Sequence, residues 1–195
     1  GRQHLTNRRT MIMEPYWRRP LRGVQSRGRS PTEFSVGRCC RDIEPSPQRN
    51  PMQIRQIFLS AGHNYVGHHE REPDEFALQE VDQIECVAGH GLRGDRFFDY
   101  KDDYQGQITF FSGEVFDQLS AAFPEVKKSP GVLRRNVIVS GVDLNSLIGQ
   151  EFEVQGVRFR GTQHCAPCHW MERAFAPGAL SIGSNAPAAA RALPA

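Results

Sequence analysis

Residues 134–168 read RRNVIVSGVDLNSLIGQEFEVQGVRFRGTQHCAPC, and three features of this stretch decide the class of fold. The segment 136–141 (NVIVSG) is rich in β-branched residues, as a buried strand would be. Residues 151–154 (EFEV) and 157–160 (VRFR) alternate apolar with charged side chains around Gln155 and Gly156, so a hairpin with a two-residue turn is expected. The second strand of that hairpin delivers a Cys-Ala-Pro-Cys step, and 169–175 (HWMERAF) reads as a short helical segment behind it.

Working outward, 52–60 (MQIRQIFLS), 81–88 (VDQIECVA) and 106–112 (GQITFFS) read as further strands, the second with Ile84, Cys86 and Ala88 on one face. Ser112 is placed to cap a helix over 113–123. Val115, Phe116, Leu119 and Phe123 share one face of it, and Pro124 follows its end. Many short strands and few, short helices predict a mostly-β domain, either a β-barrel or a mixed mostly-β fold.

The chain has 195 residues, 38% of them hydrophobic, which suffices for one domain with a real core rather than two. No apolar run reaches the ~18 residues that would span a bilayer, and no segment resembles a secretory signal, so the expectation is a soluble, cytoplasmic protein without a membrane partner. Five cysteines (39, 40, 86, 165 and 168) are an odd set, which in a reducing compartment favours metal binding or catalysis over a disulfide framework. Residues 1–50 carry 11 Arg, no Lys and 4 acids (+7), and the remainder 13 bases against 18 acids (−5). The acidic body gives no electrostatic support to specific nucleic-acid binding.

Residues 1–51 hold six of the thirteen prolines and lack sustained periodicity. They read as a disordered, Arg-rich leader before a domain over 52–180. Residues 181–195 (SIGSNAPAAARALPA) read as a low-complexity tail outside the core.

Two basic clusters and one Cys/His cluster carry the chemistry. In 89–96 (GHGLRGDR) the glycine spacing matches a dinucleotide-binding fingerprint. No long amphipathic helix follows, however, and a Gly-rich turn between strands suits the glycines better. Arg93 and Arg96 in that turn, and Arg134 and Arg135 before the strand that Asn136 opens, can present guanidinium groups to an anion. The stretch HCAPCHW (164–170) admits a c-type haem, a thioredoxin-like pair, structural zinc or a buried, inert Cys pair. A further reading needs one thiol only: Cys168, at the start of the helical segment, as a thiolate ligand to a redox-active transition metal.

The order GLRGDR (91–96), GQITFFS (106–112) and then the whole of 134–168 resembles the MOSC family, named for the C-terminal domain of molybdenum cofactor sulfurases. The likeness covers about residues 52–180. It implies a MOSC-type β-barrel that binds a molybdenum–pterin cofactor, with Cys168 as the metal ligand and Arg93, Arg96, Arg134, Arg135 and Asn136 around the cofactor. Relatives reduce N-hydroxylated compounds by removing oxygen at molybdenum, which implies a small N-hydroxylated or N-oxide substrate and a separate redox protein as electron donor. A non-catalytic carrier of the cofactor or its sulfur is the alternative, and a zinc-stabilised binding module a further one. Pyridoxal phosphate is not expected, since it belongs to an additional domain of the sulfurases. Both ends depart from the family pattern, the tail as though a closing strand had been cut off.

Overall fold

The computed structural model describes residues 2–6, 52–64, 72, 74–102, 104–166, 168–184 and 188–194. Every element below lies in the unit formed by Gly1–Thr10 and Arg49–Ala195. In chain order the strands are β1 (Arg2–Thr6), β2 (Gln53–Leu59), β3 (Gln79–Glu80), β4 (Gln83–Val87), β5 (Gly91–Leu92), β6 (Ile108–Ser112), β7 (Val137–Ser140), β8 (Glu151–Val154), β9 (Val157–His164) and β10 (Ala189–Pro194). The helices are α1 (Gly113–Ala122), α2 (His169–Ala174) and α3 (Ala179–Ser184), with 3-10 turns at Pro130–Leu133 and Leu144–Leu147.

One sheet runs β3-β2-β7-β6-β10-β9-β8 and a second runs β1-β4-β5. The expected hairpin is β8–β9, in which Glu151 faces Arg160 and Glu153 faces Arg158. Its turn places Gln155 and Gly156 at φ 51° and 81°, the left-handed geometry that two-residue hairpin turns need. At the centre, β6 and β7 pair in parallel, joined through α1. The side-chain oxygen of Ser112 accepts from the Val115 N–H (3.2 Å), which starts α1 at the residue the sequence marks.

Strand periodicity sorts the interior into two cores. Ile57, Phe110, Val137, Val139 and Ala190 point to one face, where they meet Leu5, Ile84, Cys86 and Leu92 of the three-stranded sheet. Their neighbours Phe58, Phe111, Ile138 and Ala189 point to the other face and pack on Val115, Leu119, Met171, Phe175 and Ala179 of the helices. Covered on both sides, β6 is buried at every position, which explains its continuous apolar run.

Three expectations are corrected. The mostly-β class with short helices holds, but no closed barrel forms among the described residues, because the ladder ends at β3 and β8 without joining them. Residues 181–184 and 188–194, the described part of the stretch 181–195, are not a tail outside the core. They complete α3, and residues 189–194 form β10, inserted between β6 and β9. Small side chains suit that slot, since Ala189 and Ala190 lie opposite the bulky Phe111 and Phe110. The leader is likewise not wholly outside the fold. Arg2–Thr6 pairs antiparallel with β4 and buries Leu5 completely. The rest of the proposed leader lies outside the described residues.

Candidate functional site

The site grows from a buried polar lattice under the ends of β2, β6 and β7. The Asp95 carboxylate, fully enclosed, accepts from the Ser60 N–H (3.3 Å), the Phe97 N–H (3.1 Å), Asn136 Nδ2 (3.0 Å) and Arg96 Nη1 (3.4 Å). Asn136 in turn accepts from the Thr109 N–H (3.1 Å) and hydroxyl (2.8 Å), which stitches β6 to the start of β7. Arg134 takes left-handed backbone (φ 53°) to end the 3-10 turn. Its guanidinium donates to Ser60 Oγ (2.7 Å), Gly62 O (2.8 Å) and Phe76 O (3.2 Å). These bonds satisfy groups that would be costly to bury unpaired, and they hold the loop after β2 in place.

Above this lattice lies a cavity of about 180 Å³ whose wall includes Arg96, Arg134, Arg135, Cys168, Trp170 and His63. It shares Asn64, Val132, Arg134 and Ala174 with a neighbouring cleft of about 590 Å³. Cys168 is exposed at the N-cap of α2, and Cys165, on the same wall, is buried. The Arg96 side chain is 7% exposed. It donates to the Arg134 carbonyl (3.1 Å) and lies over the Phe97 ring (4.8 Å). Burial pulls its ionisation below the ordinary arginine value, while the neighbouring Asp95 opposes that shift. Arg135 donates Nη1 to Leu133 O (3.2 Å), whereas its Nε is buried without a hydrogen-bond partner among the described residues.

The sequence-derived set divides accordingly. Cys168, Arg96, Arg134 and Arg135 come together at the cavity, and Asn136 lies beneath it as a lattice member. Arg93 does not line the cavity. The turn after β4, with positive φ at Gly89, Gly91 and Gly94, sends its side chain back to Glu85 (2.8 Å) and over Phe98 (5.1 Å). Gly91 and Leu92 form a short strand with no helix behind it, so the glycines serve a hairpin turn. Among the described residues no group of three or more His, Cys, Asp or Glu side chains is arranged to hold a metal ion, which leaves the zinc-module alternative without a ligand set there. Cys86 is a core thiol, pushed up to about 12 by burial.

Two site residues escape sequence reasoning. Asp95 is the centre of the lattice, and its signal in the sequence is its place among alternating charges in the glycine-rich turn, between Arg93 and Arg96. His63 lies in a polar loop whose only hint is the glycine before it.

The sequence profile of the MOSC domain matches residues 90–191, just over half of the chain. The protein therefore belongs to the MOSC domain family, which is associated with molybdenum cofactor binding. Among solved structures, the YuaD protein from Bacillus subtilis is similar at 16% identity and a TM-score of 0.49, covering 73% of this chain and 90% of that one. A second structure, described as a hypothetical protein, is similar at 16% identity and a TM-score of 0.43, covering 71% of this chain and 62% of that one. No curated protein matches the chain. Among the described residues no helix is long and apolar enough to cross a membrane.

Proposed function

We propose that the protein binds molybdenum cofactor in this cavity and reduces N-hydroxylated or N-oxide compounds by removal of oxygen. The observation that supports this reading is the meeting, in one cavity, of an exposed thiol with guanidinium groups, one of which has a buried N–H left unpartnered. A thiolate is a soft ligand suited to such a metal, and a guanidinium is suited to a phosphate. The residues therefore fit an anionic, metal-bearing group.

In this reading Cys168 supplies a sulfur ligand, and Arg96 and Arg135 receive the negative charge of the cofactor. When bound, the cofactor supplies a reduced metal centre able to take up oxygen from an N–O bond. The apolar wall of Phe97, Phe111, Leu133 and Met171 keeps bulk water from the charged groups and so strengthens their attraction. The adjoining cleft, with Phe58 and Leu78 on its wall, gives an organic substrate apolar surface. Electrons come from a separate redox protein. Metal and pterin analysis of protein from a cofactor-competent host tests the reading. It expects near-stoichiometric molybdenum, lost in Cys168→Ser and kept in Cys165→Ser. A folded protein without molybdenum would refute it.

The exposure of Cys168 also favours a second reading, a carrier that passes the cofactor or its sulfur to a client. Reduction of a panel of N-hydroxylated substrates with an artificial donor separates the two: turnover supports the enzyme, and cofactor transfer without turnover supports the carrier.

A further inference from the structure

His63 is held more firmly than a loop residue without a role requires. The residue before it is fixed by the bond from Arg134 to Gly62 O (2.8 Å). The residue after it is fixed by a reciprocal pair: Asn64 Nδ2 donates to Phe76 O (3.2 Å) and Asn64 Oδ1 accepts from the Phe76 N–H (3.0 Å). The imidazole itself is wedged edge-on between Phe97 (ring centroids 4.8 Å apart) and Tyr100 (5.4 Å). Backbone and ring are thus set before any ligand arrives, as a binding group should be.

Yet Nε2 of this ring is buried with no hydrogen-bond partner among the described residues. A buried polar atom left unpaired costs stability, so a group that is both immobilised and unpaired calls for an explanation. Two details supply one. The ring belongs to the wall that also carries Arg135, whose Nε is orphaned in the same way. Burial, helped by the positive charges of Arg96 and Arg134 and opposed by Asp95, lowers the pKa of His63, so the imidazole is kept neutral and able to carry its proton on Nε2.

We propose that His63 is a direct ligand contact of the cavity, donating its Nε2–H to an oxygen of the same oxyanion that Arg135 Nε receives. The inference rests on the reading of the cavity as an anion-holding cofactor site, and it adds a neutral donor to the charged ones. A neutral donor beside guanidiniums selects for geometry: it rewards an oxygen at one position, whereas charge alone rewards any anion nearby. The oxyanion could belong to a phosphate monoester or to the metal end of the cofactor. Inorganic phosphate and molybdate serve as separate probes of the two.

The experiment follows the ring nitrogens of histidine-labelled full-length protein by NMR while phosphate or molybdate is titrated at fixed pH and ionic strength, with calorimetry for affinity. The His63 signal is identified by its loss in His63→Gln. Saturating phosphate should shift that signal. His63→Phe should weaken phosphate about tenfold, and His63→Gln, which keeps an N–H donor, should stay within about threefold of the wild type. A molybdate response that disappears in Cys168→Ser would assign His63 to the metal end, and a phosphate response independent of Cys168 to the phosphate end. Phosphate binding that Arg135→Gln weakens while His63→Phe leaves it within about twofold, with an unmoved His63 signal, would overturn the inference and leave the cofactor reading standing. Failure of the wild type to bind either anion would overturn both. Should His63→Phe not fold, the wild-type signal and His63→Gln decide the matter.

Discussion

Arg134 and Arg135 are adjacent in sequence and opposite in situation. The first is buried, with Ser60, Gly62 and Phe76 as acceptors for its guanidinium. The second is half-buried, makes one bond to Leu133 O, and holds a buried Nε with no partner among the described residues. In the turn after β4 the division is one of direction: Arg93 turns back to Glu85, and Arg96 turns inward to the cavity, where it bonds Asp95 and the Arg134 carbonyl. Arg134 and Arg96 thus line the cavity with guanidiniums already bonded within the protein, and Arg135 lines it with a buried Nε left without a partner among the described residues. Groups whose polar atoms are satisfied internally stabilise the fold, and groups left unsatisfied are available to a ligand at a cost in stability.

The sharpest way to break the comparison is to remove the lattice centre. Asp95→Ala leaves Asn136 Nδ2 and two backbone N–H groups without their acceptor, and urea denaturation should show a loss of about 3–5 kcal/mol. The next effect separates the two neighbours. Arg134→Gln should cost about 2–3 kcal/mol of stability by stranding its three acceptors. Arg135→Gln should cost less than about 1 kcal/mol while weakening phosphate about tenfold by calorimetry. A reversed pattern would mean that the assignment of roles is wrong. Arg93→Ala should shift the melting temperature by no more than about 2 °C and leave phosphate affinity within about twofold, since the Arg93 side chain is half exposed and Glu85 keeps Arg2 as an ion-pair partner.

The smallest effect concerns a residue that does not line the cavity, at the start of α1. Partial burial pushes the Glu114 carboxyl up, but the Gly141 N–H (2.8 Å), the Ser112 hydroxyl (2.9 Å) and the nearby Arg55 outweigh it, and the net value lies below the ordinary 4.5. A folded-state value below the unfolded one means stability that is present above about pH 4.5 and lost as pH falls through the folded value. Glu114→Gln should therefore cost about 0.5 kcal/mol at pH 7, a figure already reduced for solvent screening, and nothing once both forms are protonated. Paired thermal melts at pH 7 and pH 3 check the sign.

How much of this was legible in the sequence depended on what each residue had to do. β7, the β8–β9 hairpin and α1 announce themselves because their side chains alternate or repeat against a core, and their turn and cap residues follow local rules. β10 does not, because Ala and Pro are poor strand formers and its place is set by the space between β6 and β9. β1 is hidden for a similar reason: one buried leucine among polar residues gives no period, and its partner is some eighty positions away. For the site, residue type identified Cys168, Arg96 and Arg135. It could not tell that Arg93 would turn away, or that Arg134 would commit its guanidinium to internal acceptors while Arg135 kept a buried Nε unpartnered among the described residues, since these follow from the glycine turn after β4 and the φ > 0 turn at Arg134.

The position of β10 has a consequence for biosynthesis. A chain emerges from the ribosome in order, and β6 and β9 are both made before the residues that will separate them. Until residues 189–194 have left the exit tunnel, the two strands have unfilled edges, and β6, with the sequence ITFFS, is the kind of uncharged apolar segment that pairs with other chains. The sheet therefore assembles late and over long sequence separations, which makes for slow folding. A nascent chain halted before residue 189 should bind chaperones and precipitate when released, and one extended past residue 194 should fold.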